Sequence, residues 1–384
     1  MKVEANPFWP HYTDFPKLAC DVEAEVAVVG GGIAGVSSAY FLGCQGYKVV
    51  LIESNQVGSV ATGASSGTLF YGCGSDFQGS IKRLGLDNAK LLFRETDETI
   101  REMTALIKKE NISCGLRNPD IVYVARDDAE TEYVLGEVKA SAELGFPGKL
   151  LDGDEICDVF TGRRFPLGVE HLCSQIHPGQ FIAALSKVAA ERYGVQVYEN
   201  TQMLNCEDVG KKAVVNTRNG KITADKVIVA TNIEPFLGLE KHFAIENSTL
   251  IPSKPIGGRL KEVFPKDKIL QTTEEYYDLF FPWEERVFLE VYKLRGAAEK
   301  MKHYFPSWLE SDTHDQWGDS WSKTKDMLPI LGHVTPNLIA EVAMGDQGIV
   351  MGFTCGRKIA DVIEDKGDLF TKMLSPTRFG VHLK

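Results

Sequence analysis

The stretch "AEVAVVGGGIAGVSSAYFLGCQGYKVVLIES", Ala24 to Ser54, decides the fold. An apolar strand, "EVAVVG", runs into glycines at 30, 32 and 35, a helix opens at once, and a second apolar strand, "YKVVLIE", ends on Glu53. This G-x-G-x-x-G spacing between a strand and a helix predicts a βαβ unit that holds a dinucleotide. The first glycine permits the tight turn, the second lets the backbone approach a pyrophosphate, and the third allows close helix–strand packing. The helix N-terminus turns its N–H groups and partial positive charge towards that pyrophosphate. A carboxylate at Glu53 accepts hydrogen bonds from ribose hydroxyls and repels a 2'-phosphate, which argues against NADP. The expected contacts here are Gly30, Gly32, Ile33, Ala34, Gly35, Glu53 and Ser54. The motif alone leaves NAD and FAD both open.

Working outward, 384 residues with 43% hydrophobic content suffice for two modest domains or one domain with a large insertion. A formal net charge of -11 without a dense Lys/Arg cluster excludes nucleic acid as a partner. No apolar run approaches transmembrane length, so no membrane span is expected. The N-terminal residues lack the continuous apolar segment of a signal peptide, and the expected location is cytoplasmic. Eight cysteines are scattered without a C-x-x-C pair or a recurring spacing to histidine, which predicts reduced thiols and no metal.

The loop "GSVATGASSGTLFYGCGS" follows the βαβ unit, then a helical pattern runs from about Gly79 to Asn111. "DIVYVARDD" reads as a strand, and "AETEYVLGEVKASAELGF" as a helix. "HPGQFIAALSKVAAERYGVQVYENTQM" reads as a helix feeding a strand. "AVVNTRNGKITADKVIVATN" reads as a hairpin about Asn219-Gly220 that ends in a buried parallel strand. From Ser248 to Gly318 the pattern changes to aromatic-rich antiparallel strands, and the last segment returns to strand, glycine loop and helix. The fold class is therefore α/β, α+β overall: a Rossmann-like dinucleotide domain with a parallel sheet, plus a substrate domain with a mostly antiparallel sheet. The expected division is 1–80, 165–247 and 322–384 for the first and 81–164 and 248–321 for the second.

Four regions resemble the D-amino-acid oxidase superfamily of flavoproteins, which includes glycine oxidase, sarcosine oxidase and gamma-glutamylputrescine oxidase. They are "FPKLACDVEAEVAVVGGGIAGVSSAYFL", the loop "TGASSG", "ADKVIVATN" with Asn232 in place of a glycine, and "TKDMLPILG" followed by "AMGDQGIVMGFTCGRKIADVI". The phrases "HPGQFIAAL", "WSKTKDMLPILG" and "DLFTKMLSPTRF" are similar to a subgroup in which a Rieske domain follows. The C-x-H and C-x-x-H pairs of a Rieske cluster do not occur in these residues. The resemblance implies FAD, with the electron acceptor being oxygen, a small molecule or another protein. It places Gly63, Ala64, Ser65, Ser66 and Gly67 beside the isoalloxazine or its phosphates, and Val197 against adenine. Ala230 and Thr231 then flank the pyrophosphate, while Gly345, Asp346, Gln347, Gly348 and Ile349 meet the oxygen-rich edge of the ring. No cysteine matches the one that holds flavin covalently in the sarcosine oxidase type, so a non-covalent flavin is expected.

The resemblance further implies an amine or amino acid as the small-molecule substrate, giving up hydride and becoming an imine. Basic residues that clamp a substrate carboxylate in the sarcosine oxidase type are replaced here by Leu69, Phe70, Tyr71 and Val350. Asp346 is a candidate for binding a cationic amine or for shaping its loop, and Tyr276, Tyr277 and Phe280 are candidates for lining the pocket. His177 is expected as a structural residue at a helix start. The first reading is an FAD-dependent amine or amino-acid oxidase or dehydrogenase; the second is a flavin-binding subunit that needs a partner protein for turnover or electron relay.

Overall fold

The computed structural model describes residues 13–74, 76–233, 237–273, 277–292, 297–306 and 316–381. Six strands carry the nucleotide half: β1 (Val22–Val29), β2 (Val49–Ile52), β3 (Gln196–Tyr198), β4 (Lys221–Val229), β5 (Ile330–His333) and β6 (Leu338–Val342). Their order is β5-β6-β4-β1-β2-β3, parallel throughout except for β5, and the hairpin strands Met203–Asp208 and Ala213–Thr217 extend from β4. Every residue of β2 is buried, as is the second half of β1. Such apolar runs are what a strand covered on both faces requires.

Three helices cover one face: α1 (Ile33–Cys44), α2 (Pro178–Tyr193) and α3 (Gly348–Ile363), with α1 packed against both others. His177 stands at the start of α2, where its Nδ1 accepts from the Gln180 N–H. Helix α3 begins at Gly348, so its first turn includes the end of the glycine loop. The helix expected over 79–111 is two helices, Phe77–Leu84 and Leu86–Lys109, because Gly85 at φ 76° lies outside helical geometry.

A second eight-stranded sheet has the order Trp317–Thr324, Phe243–Pro252, Arg286–Val291, Asp278–Trp283, Ile269–Thr272, Ile121–Val124, Leu167–His171, Lys149–Asp152. It is antiparallel apart from the pair Ile269–Thr272 with Ile121–Val124. Leu167–His171, on the nucleotide side of the expected boundary at 165, pairs in this sheet, and Phe243–Pro252 straddles the one at 247. Its outer face rests on an aromatic cluster of Phe160, Phe165, Phe264, Phe280 and Phe305, each almost wholly buried. Full burial of one such side chain contributes about 1.5–3 kcal/mol. Phe280 therefore serves the core and not the pocket, because its strand neighbours Leu279 and Phe281 point the other way.

Candidate active site

The turn after β1 is built by close approach. Gly30 has φ 115°, and a Cβ there would lie 2.4 Å from the Ala230 carbonyl oxygen at the end of β4. A Cβ on Gly35 would lie 2.0 Å from the Gly30 carbonyl oxygen, so α1 can begin directly under the turn only with glycine at both places. Gly32 caps α1 without a side chain of its own; instead the Ile33 N–H donates to Thr62 Oγ1 at 2.9 Å. Glu53, leaving β2, is held by the Gly31 N–H at 2.7 Å, the Asn55 N–H at 2.8 Å and the Ser54 hydroxyl at 3.0 Å.

These groups line one cavity that runs from the β1–α1 turn to the inner face of the second sheet. Of the residues expected at a cofactor, Gly30, Gly32, Ile33, Ala34, Glu53, Ser54, Ser65, Ser66, Gly67, Ala230, Thr231 and Gly345 to Ile349 line it. Gly35, Gly63, Ala64 and Val197 do not. Gly35 and Gly63 serve the packing of their helices. Ala64 accepts from Trp317 Nε1 at 2.9 Å. Val197 pairs with Leu51 inside the sheet, and the neighbouring Thr201, Gln202 and Met203 reach the cavity in its place. Asn232, where the resemblance has glycine, adopts φ 55°, a left-handed conformation that asparagine tolerates better than most residues. Its side chain donates to the Ser320 carbonyl and accepts from Ser322.

At the far end the second sheet closes the cavity with a row of residues paired across four strands. Gln271 pairs with Leu279, Leu279 with Glu290, and Glu290 with Leu250, so all four share the inner face. Glu290 is buried beside Ser66 and Ser248, and burial pushes its carboxyl up to about 7. Tyr277 and Tyr292 meet edge to face with ring centroids 4.8 Å apart, the Tyr292 hydroxyl donating to that of Tyr277 at 2.6 Å. Trp321 packs edgewise on Tyr292 at 5.9 Å. Tyr276 lies outside the described residues.

Asp346 is placed where two cavities meet, and its Oδ1 accepts from the Gly74 and Gln347 N–H groups, both at 2.8 Å. Burial raises its carboxyl, opposed chiefly by those backbone donors. It thus ties the glycine loop before α3 to the segment after the "TGASSG" loop. The second cavity, about 840 Å³, shares Gln271, Tyr277, Tyr292, Trp321, Asp346 and Gln347 with the first and adds Arg83, Lys241, Lys323 and Lys325. Lys254 and Arg259 line neither.

Thr62, Met203, Gln271, Tyr292, Glu290 and Glu341 escaped the sequence reading. Glu290 in "RVFLEV" and Glu341 in "LIAEV" each interrupt an otherwise apolar strand, and a lone carboxylate there is a detectable signal, because such groups are seldom buried without a partner. Glu341 accepts twice from the Ser38 hydroxyl, at 2.9 and 2.8 Å.

Among the described residues no group of His, Cys, Asp and Glu is arranged to hold a metal ion, and no helix is long and apolar enough to cross a membrane. The chain is 27% identical to the gamma-glutamylputrescine oxidoreductase of Escherichia coli (strain K12), covering 95% of this chain and 88% of that protein. It is 22% identical to YhfW of Bacillus subtilis (strain 168), named for a Rieske 2Fe-2S iron-sulfur protein, over 98% of this chain and 76% of that one. The solved glycine oxidase from Geobacillus kaustophilus superposes with a TM-score of 0.77 at 19% identity, covering 94% of this chain and 100% of that one, which establishes a shared fold. A sequence model of FAD dependent oxidoreductases matches residues 25–362, most of the chain's length. The strand–glycine–helix turn, the carboxylate on β2 and the cavity closed by a second sheet are therefore those of a chain that belongs to the family of FAD-dependent oxidoreductases.

Proposed function

We propose that this chain oxidises the C–N bond of an amine or amino acid held between the inner face of the second sheet and a non-covalently bound FAD. The observation that carries this reading is that one cavity joins the dinucleotide turn at Gly30 to the sheet residues Gln271, Leu279 and Glu290. The residues present fit the cofactor, since the glycine turn leaves no room for a Cβ and α1 opens with backbone donors in place of a capping side chain. When bound, FAD supplies a two-electron acceptor that takes hydride from the carbon beside nitrogen and leaves an imine for water to hydrolyse.

The chain's own residues hold and orient. Gly30, Gly32, Ala230 and Thr231 would hold the pyrophosphate, Glu53 would accept from the ribose, and Met203, which lines the cavity where Val197 does not, would meet the adenine. Ser65, Ser66, Gly67 and Gly345 to Ile349, which line the same cavity, would hold the ring. The N-terminus of α3, which begins at the cavity-lining Gly348, would offer a partial positive charge to a bound flavin and favour its reduced, anionic form. Tyr277, Tyr292 and Trp321 wall off water and pack on the substrate's carbon skeleton. The nucleotide half comprises both ends of the chain and the segment around β3 and β4, and the substrate half the residues of the second sheet.

The test is a visible spectrum of the purified protein, repeated without oxygen while amines, D-amino acids and N-methyl amino acids are added. Bleaching of a flavin band by one class is the expected result, and readmitting oxygen separates an oxidase from a dehydrogenase. A flavin band that none of them bleaches would overturn the reading.

A further inference from the structure

The described residues lining the first cavity include four carboxylates, Glu53, Glu290, Glu341 and Asp346, and no lysine, arginine or histidine. Two of the four are committed elsewhere: Glu53 to the turn after β2, and Glu341 to Ser38 on α1. Asp346 spends one oxygen on two backbone N–H groups. Glu290 differs in standing on the inner face of the second sheet, in the row with Gln271 and Leu279, directly over the "TGASSG" loop through its contact with Ser66. Among the described residues, Arg83, Lys241, Lys323 and Lys325 line the adjoining cavity.

We propose that Glu290 recognises the nitrogen of the donor, and that it makes the site select amines whose nitrogen-bearing carbon carries no carboxylate. This rests on the proposed function and narrows its substrate class. A carboxylate on that carbon would be brought, desolvated, against Glu290 and Asp346 with no cation among the described lining residues to offset it, and like charges at short range in a low dielectric repel strongly. An ammonium meets the opposite situation, with the Glu290 carboxyl beside two serines on the cavity wall and aromatic rings lining the same cavity. An acidic group several bonds away from the nitrogen reaches the second cavity, where the lysines and arginine are.

The same contact makes the nitrogen ready for oxidation. The bound ammonium gives one proton to the ionised Glu290: the N–H bond breaks, its electron pair stays on nitrogen as the lone pair, and an O–H bond forms on the carboxyl. The amine is then neutral, and Glu290 returns its proton to solvent after product leaves. Burial raises this carboxyl towards the range of an amine, so the transfer is less unfavourable than to an ordinary carboxylate.

Two isomers separate the possibilities. 2-Aminobutyrate and 4-aminobutyrate have the same atoms and the same charges and differ in the distance from nitrogen to carboxylate; butylamine has no carboxylate at all. In anaerobic titrations of the holoenzyme, read from the flavin spectrum, half-saturation by 4-aminobutyrate and butylamine should come at concentrations at least tenfold below that for 2-aminobutyrate. In Glu290→Gln the preference should collapse to within about threefold, with the wild-type flavin content retained. Equal or better response to 2-aminobutyrate in the wild type overturns the proposal, as does a Glu290→Gln holoprotein that keeps the preference. If Glu290→Gln fails to hold flavin, Glu290→Asp, which keeps the charge, should preserve the order of the three compounds, and loss of that order in flavin-loaded Glu290→Asp counts against the proposal as well. A flavin that answers to no amine and no amino acid would instead sink the proposed function, and that outcome is distinct from a preference for the α-isomer.

Discussion

Gly30 passes Ala230 so closely that a Cβ on the glycine would sit 2.4 Å from the alanine carbonyl oxygen. Strand β4 therefore sets the residue type at the first glycine of a turn nearly 200 positions earlier in the chain, and the turn in turn shapes the floor of the cavity. With φ at 115°, any side chain is strained there in addition to clashing. Gly30→Ala should purify with at least tenfold less flavin than wild type, read as the ratio of flavin to protein absorbance. A variant with full flavin content would show that the crossing relaxes without consequence.

Glu53 accepts from two backbone N–H groups and one hydroxyl, so its carboxylate is held in one orientation before any ligand arrives. An amide in its place keeps the shape, loses the charge, and sets its own NH2 against one of the two backbone donors, since the Gly31 N–H takes Oε2 and the Asn55 N–H takes Oε1. Hydrogen bonds to charged groups contribute roughly 1.5–3 kcal/mol. Glu53→Gln should raise the dissociation constant for FAD by about tenfold or more, since ~1.4 kcal/mol is a factor of ten. Titration of apoprotein with FAD, followed by fluorescence quenching, measures it.

Glu341 gives a pH-dependent stability whose sign follows from burial. Its carboxyl is pushed up to about 8, with only the Ser38 hydroxyl opposing, against an ordinary 4.5. Between those values the folded chain keeps a proton that the unfolded chain has released, so stability falls as pH rises through that window and the penalty is complete above it. Glu341→Gln carries no such penalty. The apoprotein variant should melt at least about 2 °C above wild type at pH 8.5, with the gap closing near pH 4.5. A gap independent of pH would mean that Glu341 is not protonated in the folded chain.

Trp317 Nε1 donates to the Ala64 carbonyl, tying the second sheet to the helical turn that precedes Ser65 and Ser66. Trp317→Phe keeps most of the buried ring and removes the donor, leaving a buried carbonyl short of a partner at a cost of about 1–3 kcal/mol. For a chain of this length that corresponds to a fall in Tm of about 1–4 °C, measurable by calorimetry. The flavin spectrum of the variant should broaden as the loop beside the ring loosens.

Much of the nucleotide half was legible because its determinants are local. Strand β1, the glycine turn, α1 and β2 with Glu53 are contiguous, and each glycine answers a requirement of the next few residues. The Asn219-Gly220 hairpin and the apolar runs of β2 and β4 are likewise written in short stretches of sequence. Asn232 is an instructive exception: it departs from the expected glycine, and the left-handed backbone it must adopt is one that asparagine is among the few residues to enter.

The far end of the cavity was not legible in the same way. Gln271, Leu279, Glu290 and Leu250 become neighbours only through the register of four strands, and a shift of one residue would turn each of them to the opposite face. That register also sends Phe280 into the aromatic core, and in the other sheet the pairing of β3 with β2 places Val197 opposite Leu51 while Met203 reaches the cavity. The sequence by itself determined the dinucleotide turn, the alternation of strands and helices, and the family. Tertiary structure alone decided which carboxylates line the dinucleotide cavity and that Arg83, Lys241, Lys323 and Lys325 line the one adjoining it, because strand pairing between distant segments, unlike a glycine turn, is set by no short stretch of chain.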